Sequence, residues 1–257
     1  MKAVRSISGQ KTLLGRTTHE MAYNPIRDEI VVPQVFGQSI LTFRGAVSGE
    51  EPPLRVIQGP LTQLRGASML GIDPVHNEIF VPEGNQIQVF DLLANGNVKP
   101  IRVLKGPDTL LGAANVAIDP IHDRLIVTGS LGTRAKAENN AILIFDRLAQ
   151  GNTKPLGVIK GPRSGVNGTF GVRALPQRGL FATSVNGTQY TDPNDASYVG
   201  VWSIYDNGDV PPRYTIGGPY GKLKQPRGID FDLRNKAVLI SDKLLNSVLT
   251  YSVPEIF

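Results

Sequence analysis

"RVLKGPDTLL", Arg102 to Leu111, brings a lysine, a glycine-proline pair and a threonine together, a density that suits either a phosphate-holding loop or a turn in the fold. Self-comparison decides between them. The stretch recurs as "RVIQGPLTQL" from Arg55, "GVIKGPRSGV" from Gly157, "YTIGGPYGKL" from Tyr214 and, more loosely, "RSISGQKTLL" from Arg5. The shared glycines Gly9, Gly59, Gly106, Gly161 and Gly218 fall about every fifty residues, a propeller-blade period. No copy completes G-x-x-x-x-G-K-[ST] ahead of a helix, so the phosphate loop fails. Glycine supplies an unusual φ at a strand end and proline fixes the next residue, so each copy stops a strand and turns the chain.

The rest of the period repeats as well. "YNPIRDEIVVPQ", "IDPVHNEIFVPE" and "IDPIHDRLIVTG" align at Asn24, Asp73 and Asp119, with looser versions in "ALPQRGLFATS" and "FDLRNKAVLISD". Asn or Asp before proline caps a turn with its own side chain, and the run after it is apolar on both faces, as in a strand buried between stacked sheets. A third strand follows in each copy, "SILTF", "NQIQVF", "AILIF", "YVGVWSIY" and "SVLTYS", with Phe43, Phe90, Phe145, Tyr205 and Tyr251 as its aromatic. Four strands per period, a to d from the centre outward, predict an all-β propeller of five four-stranded blades.

The phase of the repeat predicts its closure. The chain opens on an orphan d-type strand, "VRSIS", and finishes after a c-type strand, "SVLTYS". Pairing Val4–Ser8 with Ser247–Tyr251 would complete the last blade and remove two free edges. The alternative is an open or oligomerising fragment of a six-bladed ring. Residues 1–257 are expected to form a single domain.

Composition narrows the chemistry. The chain has no cysteine, which excludes disulfides, thiolate metal sites and a cysteine nucleophile. A formal net charge of +5 mildly favours anionic partners. No run approaches the length of a membrane span or of a signal-peptide core, so a soluble chain is expected.

With the repeat in place, the chain resembles the NHL-type β-propellers: "PRGIDFD" from Pro226 followed by "VLISD" to Asp242 is similar to the opening of that repeat, and "NQIQVF" from Asn85 to its closing strand. It departs from the pattern in "ALPQRGLFATS" and in having five blades rather than the usual six. The resemblance implies protein- or RNA-binding modules, with a minority of enzymes holding metal in the channel; a fold by itself fixes neither.

In such a fold the d–a and b–c connections share one face. His76 and His122 fall in equivalent a–b turns, and His19 near an a strand, so no zinc cluster is expected. Glu20, Glu83, Asp230 and Asp242 are the oxygen ligands a lyase- or lactonase-type metal enzyme could use, but they are scattered. The b–c connections are long in blade three, "TGSLGTRAKAENNA", and in blade four, "TSVNGTQYTDPNDASY", and long loops in a compact repeat tend to carry function. Arg134, Lys136, Asn139, Asn140, Arg163, Tyr190 and Tyr198 are therefore the expected ligand-binding residues, beside the basic d–a residues Lys11, Arg16, Arg65, Lys222, Lys224 and Arg227. The expected role is a non-enzymatic module for a protein, polymer or anionic partner, without cofactor or metal. An RNA partner would need stacking aromatics, for which Phe170, Tyr190, Tyr198 and Tyr220 are the candidates.

Overall fold

A computed structural model describes residues 3–131, 139–186, 197–218 and 221–257. The chain is an all-β, five-bladed propeller built from five antiparallel sheets. It divides into two compact units, Met1–Val103 and Leu104–Phe257.

The first unit holds the sheet β1 (Ala22–Asn24), β2 (Glu29–Gln34), β3 (Ser39–Arg44) and β4 (Arg55–Gln58), then β5 (Gly71–Asp73), β6 (Glu78–Pro82), β7 (Gln86–Asp91) and β8 (Arg102–Lys105), whose last residues enter the second unit. The second holds β9 (Ala113–Asp119), β10 (Arg124–Ser130), β11 (Asn140–Asp146) and β12 (Gly157–Ile159). It continues with β13 (Thr169–Leu175), β14 (Leu180–Val185), β15 (Tyr198–Ser203) and β16 (Tyr214–Gly217), and ends with β17 (Pro226–Asp232), β18 (Ala237–Asp242) and β19 (Ser247–Ser252). Each sheet follows sequence order, as hairpins dictate. First strands pack side by side, β1 on β5 and β13 between β9 and β17. Second strands such as "EIFVP" are buried throughout, because apolar neighbours cover both faces of the sheet.

Side chains set the turns. Asn24, Asp73 and Asp119 accept backbone N–H groups from Ile26, Val75 and Ile121 at 3.0, 3.0 and 2.9 Å, the Asx geometry the repeat implied. Leu175 has no such oxygen, and the fourth blade instead closes its turn with Gly179 at φ 58°. Arg102 grips Glu78 through two parallel bonds of 2.7 and 2.8 Å, and Arg55 reaches Glu29 at 2.6 Å. These pairs tie d strands to b strands in the first two blades.

Two expectations need correction. Within the second unit β19 pairs with β18 alone among the described residues, and within the first unit Ile7 forms an isolated parallel bridge with Gly49. The fifth sheet therefore has three strands. The bridge repeats Ile57 with Gly96, Leu104 with Gly151 and Ile159 with Gly208, so the glycine-containing linkers join the d strands β4, β8 and β12 to the following blade. The aromatic of the fourth blade's third strand is Trp202, paired with Phe181 across the strands, whereas Tyr205 lies beyond the strand and is exposed. Gly200 is glycine because the indole covers it; a Cβ there would lie 2.3 Å from the ring.

Candidate functional site

The repeated stretch is a structural turn built the same way four times, with Gly-Pro at Gly59, Gly106 and Gly161 and Gly-Gln at Gly9. The hydroxyls of Thr12, Thr62, Thr109 and Ser164 donate to the carbonyls of Gly9, Gly59, Gly106 and Gly161 at 2.6, 2.7, 2.6 and 2.6 Å. Each also accepts the N–H two residues on. From the following blade's linker, Asn97, Asn152 and Asp209 accept a backbone N–H of the turn at 2.8, 2.8 and 2.9 Å. The threonine that suggested a ligand loop thus closes the turn, and the linker residues tie that turn to the following blade.

At the far end of the b strand a second device pins the same loop. Glu83 accepts the N–H groups of Arg65 and Gly66 at 2.9 and 3.1 Å. Asp242 accepts those of Lys224 and Gln225 at 2.7 and 2.9 Å, and those of Leu244 and Leu245 at 3.0 Å. Burial pushes the Asp242 carboxyl up, but N–H bonds from Leu245, Lys224, Gln225 and Leu244 outweigh it and hold the group below the usual range. Gln34 plays the same part for Gly15 at 2.5 Å. By strand register the equivalent positions in blades three and four are Gly129 and Val185, the two blades with inserted b–c connections. The pin is missing where the insertions begin.

Three expected site residues meet on one d–a loop, Gly161 to Gly168. Arg163 is exposed on it. Asn140 donates from its amide to Asn167 Oδ1 at 3.4 Å, and the Tyr198 hydroxyl donates to the Gly165 carbonyl at 3.0 Å. Gly165, at φ 63°, has room for no Cβ beneath that hydroxyl, 2.6 Å away. Asn139 closes the base of the blade-three insertion, its carbonyl accepting Leu131 N–H at 2.7 Å. On the neighbouring loop Lys222 and Lys224 are exposed, and Ser197, beside Tyr198, donates to the Lys224 carbonyl at 3.0 Å. Arg134, Lys136, Tyr190 and Tyr220 lie outside the described residues.

Other candidates are engaged structurally. The guanidinium of Arg227 covers the Phe170 ring, 3.4 Å from its centroid, so that face is closed to a stacking base. Gly171 next to it lets β13 and β17 approach, since a Cβ would meet the Arg227 carbonyl at 2.2 Å. His76 and His122 sit against Asp73 and Asp119 at 2.7 and 2.9 Å within their turns. His19 lies 3.2 Å from the Ser68 hydroxyl. Asp230 accepts the Phe231 N–H at 2.9 Å and stands 4.0 Å from Arg173. Among the described residues, no three His, Asp or Glu side chains converge as metal ligands, and no helix is long and apolar enough to cross a membrane.

No protein-family profile and no curated protein matches the chain. Among solved structures it is similar to the Hydrazine Synthase of Kuenenia stuttgartiensis, with a TM-score of 0.64 over 91% of this chain. The identity is 13% and the match spans 64% of the other chain. What the two share is the fold.

Proposed function

We propose that the chain is a single-domain NHL-type propeller acting as a non-catalytic interaction module, which takes an acidic protein or polymer on the loop end of blades three to five. The observation that carries this reading is the meeting of Asn140, Arg163 and Tyr198 on the Gly161–Gly168 loop, with exposed Lys222 on the loop beside it. Arg163 stands on a loop held by Tyr198 and Asp209 and Lys222 on one held by Asp242, and cations on held loops recognise an anionic surface with little ordering penalty. The bases of both insertions, at Asn139 and Ser197, adjoin these loops, and Arg134, Lys136 and Tyr190 within the insertions belong to the same proposed surface. A nucleic-acid partner has less support, because Phe170 is covered and Tyr198 is tied to the loop. The metal-enzyme reading needs Glu83 and Asp242 as ligands, and both hold loop backbones instead.

Fluorescence anisotropy with labelled poly-L-glutamate tests the proposal. Arg163→Glu with Lys222→Glu is expected to weaken binding at least roughly tenfold, about 1.4 kcal/mol, and to flatten its salt dependence. The control is Arg27→Glu, Lys99→Glu and Lys236→Glu, at the a–b and c–d turns. Equal loss in the control means charge alone attracts the probe and the loop end is not the site.

A further inference from the structure

An asparagine followed by glycine is the dipeptide most open to loss of its side-chain amide, because glycine has no Cβ to hinder attack by its own nitrogen on the asparagine Cγ. The chain carries the pair at Asn95 and Gly96, Asn167 and Gly168, Asn186 and Gly187, and Asn207 and Gly208. Gly187 lies outside the described residues. Local sequence makes the other three alike; the fold separates them.

Two pairs are locked. In the linker after β7, Asn95 Oδ1 accepts the Val56 N–H at 2.8 Å while the Gly96 N–H donates to the Val56 carbonyl at 2.6 Å. After β15, Asn207 and Gly208 hold Val158 in the same way, at 2.9 and 2.8 Å. The carbonyls of Gly96 and Gly208 in turn accept the N–H groups of Gln58 and Lys160. In each pair the side chain and the nucleophilic nitrogen are thus fixed to opposite main-chain groups of one residue, and both bonds must break before a ring can close. Such a pair reacts only through local opening of the linker. Asn167 and Gly168 are placed differently, partly exposed on the loop ahead of β13. Among the described residues no acceptor takes the Gly168 N–H, while its carbonyl receives the Asn186 N–H at 3.2 Å. Asn167 Oδ1 accepts the Asn140 amide at 3.4 Å, a donor beside the oxygen on which negative charge grows as Cγ is attacked.

We propose that Asn167 is a self-modification site of this protein, converting through a cyclic imide to aspartate and isoaspartate in the folded state, where Asn95 and Asn207 are protected. The Gly168 nitrogen bonds to Asn167 Cγ and gives up its proton, the Cγ–Nδ2 bond breaks, and the amide leaves as ammonia. Water then opens the imide. Attack at Cγ gives aspartate; attack at the Asn167 main-chain carbonyl carbon gives isoaspartate, with the chain now running through Cβ and Cγ. Overall a water is consumed and an ammonia released, with no change of oxidation state. Either product places a carboxylate on the loop that carries Arg163, and isoaspartate lengthens the chain just ahead of the Gly168 carbonyl that holds Asn186. The modification stands whether or not that loop meets a partner.

The test holds the folded protein in mildly alkaline buffer, samples it over time, digests it at low pH and follows the amide-to-acid mass change, with each site located by tandem mass spectrometry. The same series in urea supplies the unfolded rates. Asn167 is expected to react at least roughly tenfold faster than Asn95 and Asn207 in the folded chain, and at a rate comparable to theirs in urea. Its product should separate into two peptides of equal mass, one with aspartate and one with isoaspartate. A folded-state rate at Asn167 no higher than at the two linkers overturns the proposal. Aspartate without isoaspartate excludes the imide and overturns it too.

Discussion

Asp242 shows how much one carboxylate can hold. It is buried, and four N–H donors from two loops converge on it. Its pKa is lowered relative to the free residue, so its stabilising contribution is full above the unfolded value near 3.9 and is lost as pH falls through the lower folded value. Asp242→Asn removes charge-assisted bonds and turns an acceptor-only group into a partial donor. It should lower stability by about 2 kcal/mol at pH 7, and the gap to wild type should narrow below pH 4. Melting curves at pH 7 and pH 3 check both; a gap that persists at pH 3 contradicts the assigned role. From sequence this residue was a possible metal ligand, because a carboxylate at a strand end looks the same whether it meets an ion or the N–H groups of a loop eighteen residues earlier.

Among elements, the Gly-Pro turn was legible as punctuation from its recurrence, but its chemistry lies in the hydroxyl three residues on. Thr109 is fully buried, donates to Gly106 and accepts from Leu111. Thr109→Val keeps the shape and removes both bonds, leaving the Gly106 carbonyl and Leu111 N–H without that partner; a loss of about 1–3 kcal/mol is expected. Thr109→Ser should retain most of the stability, since Ser164 already does this work in blade four. A loss from Thr109→Ser with none from Thr109→Val in urea titrations would mean the methyl group, not the hydroxyl, matters. The Arg–Glu pairs of the first two blades were there to be read as well: arginine opens "RVIQ" and "RVLK", and glutamate opens "EIVVPQ" and "EIFVP". Their meeting depends on which strand ends coincide, which sheet order decides.

For the whole molecule, the free ends matter most. The N-terminal strand contributes the Ser8–Gly49 and Gly49–Ser6 bonds, the Arg5 bond to the Gly45 carbonyl and the packing of Ile7. Deleting residues 3–8 should therefore cost about 1–3 kcal/mol, read as a lower melting temperature in calorimetry. An unchanged transition would show that the bridge to Gly49 carries no weight. Charge reversal at Arg163 and Lys222, by contrast, should leave the melting temperature alone, because exposed loop charges rarely contribute more than about 1 kcal/mol.

By itself the sequence determined the blade count, the strand order within a blade and the turn types, because a hairpin repeat writes its strand period and turn residues locally and does so five times over. It also determined that His76 and His122 belong to turns, since each follows the same Asp-Pro pair that caps one. Only the tertiary structure decided what the strand ends bond to: Ile7 with Gly49, Glu83 and Asp242 with loop backbones, Asn140 and Tyr198 with the Gly161–Gly168 loop. Those partners come from other blades or distant loops, and local pattern carries no information on which edge a strand will meet across such a separation.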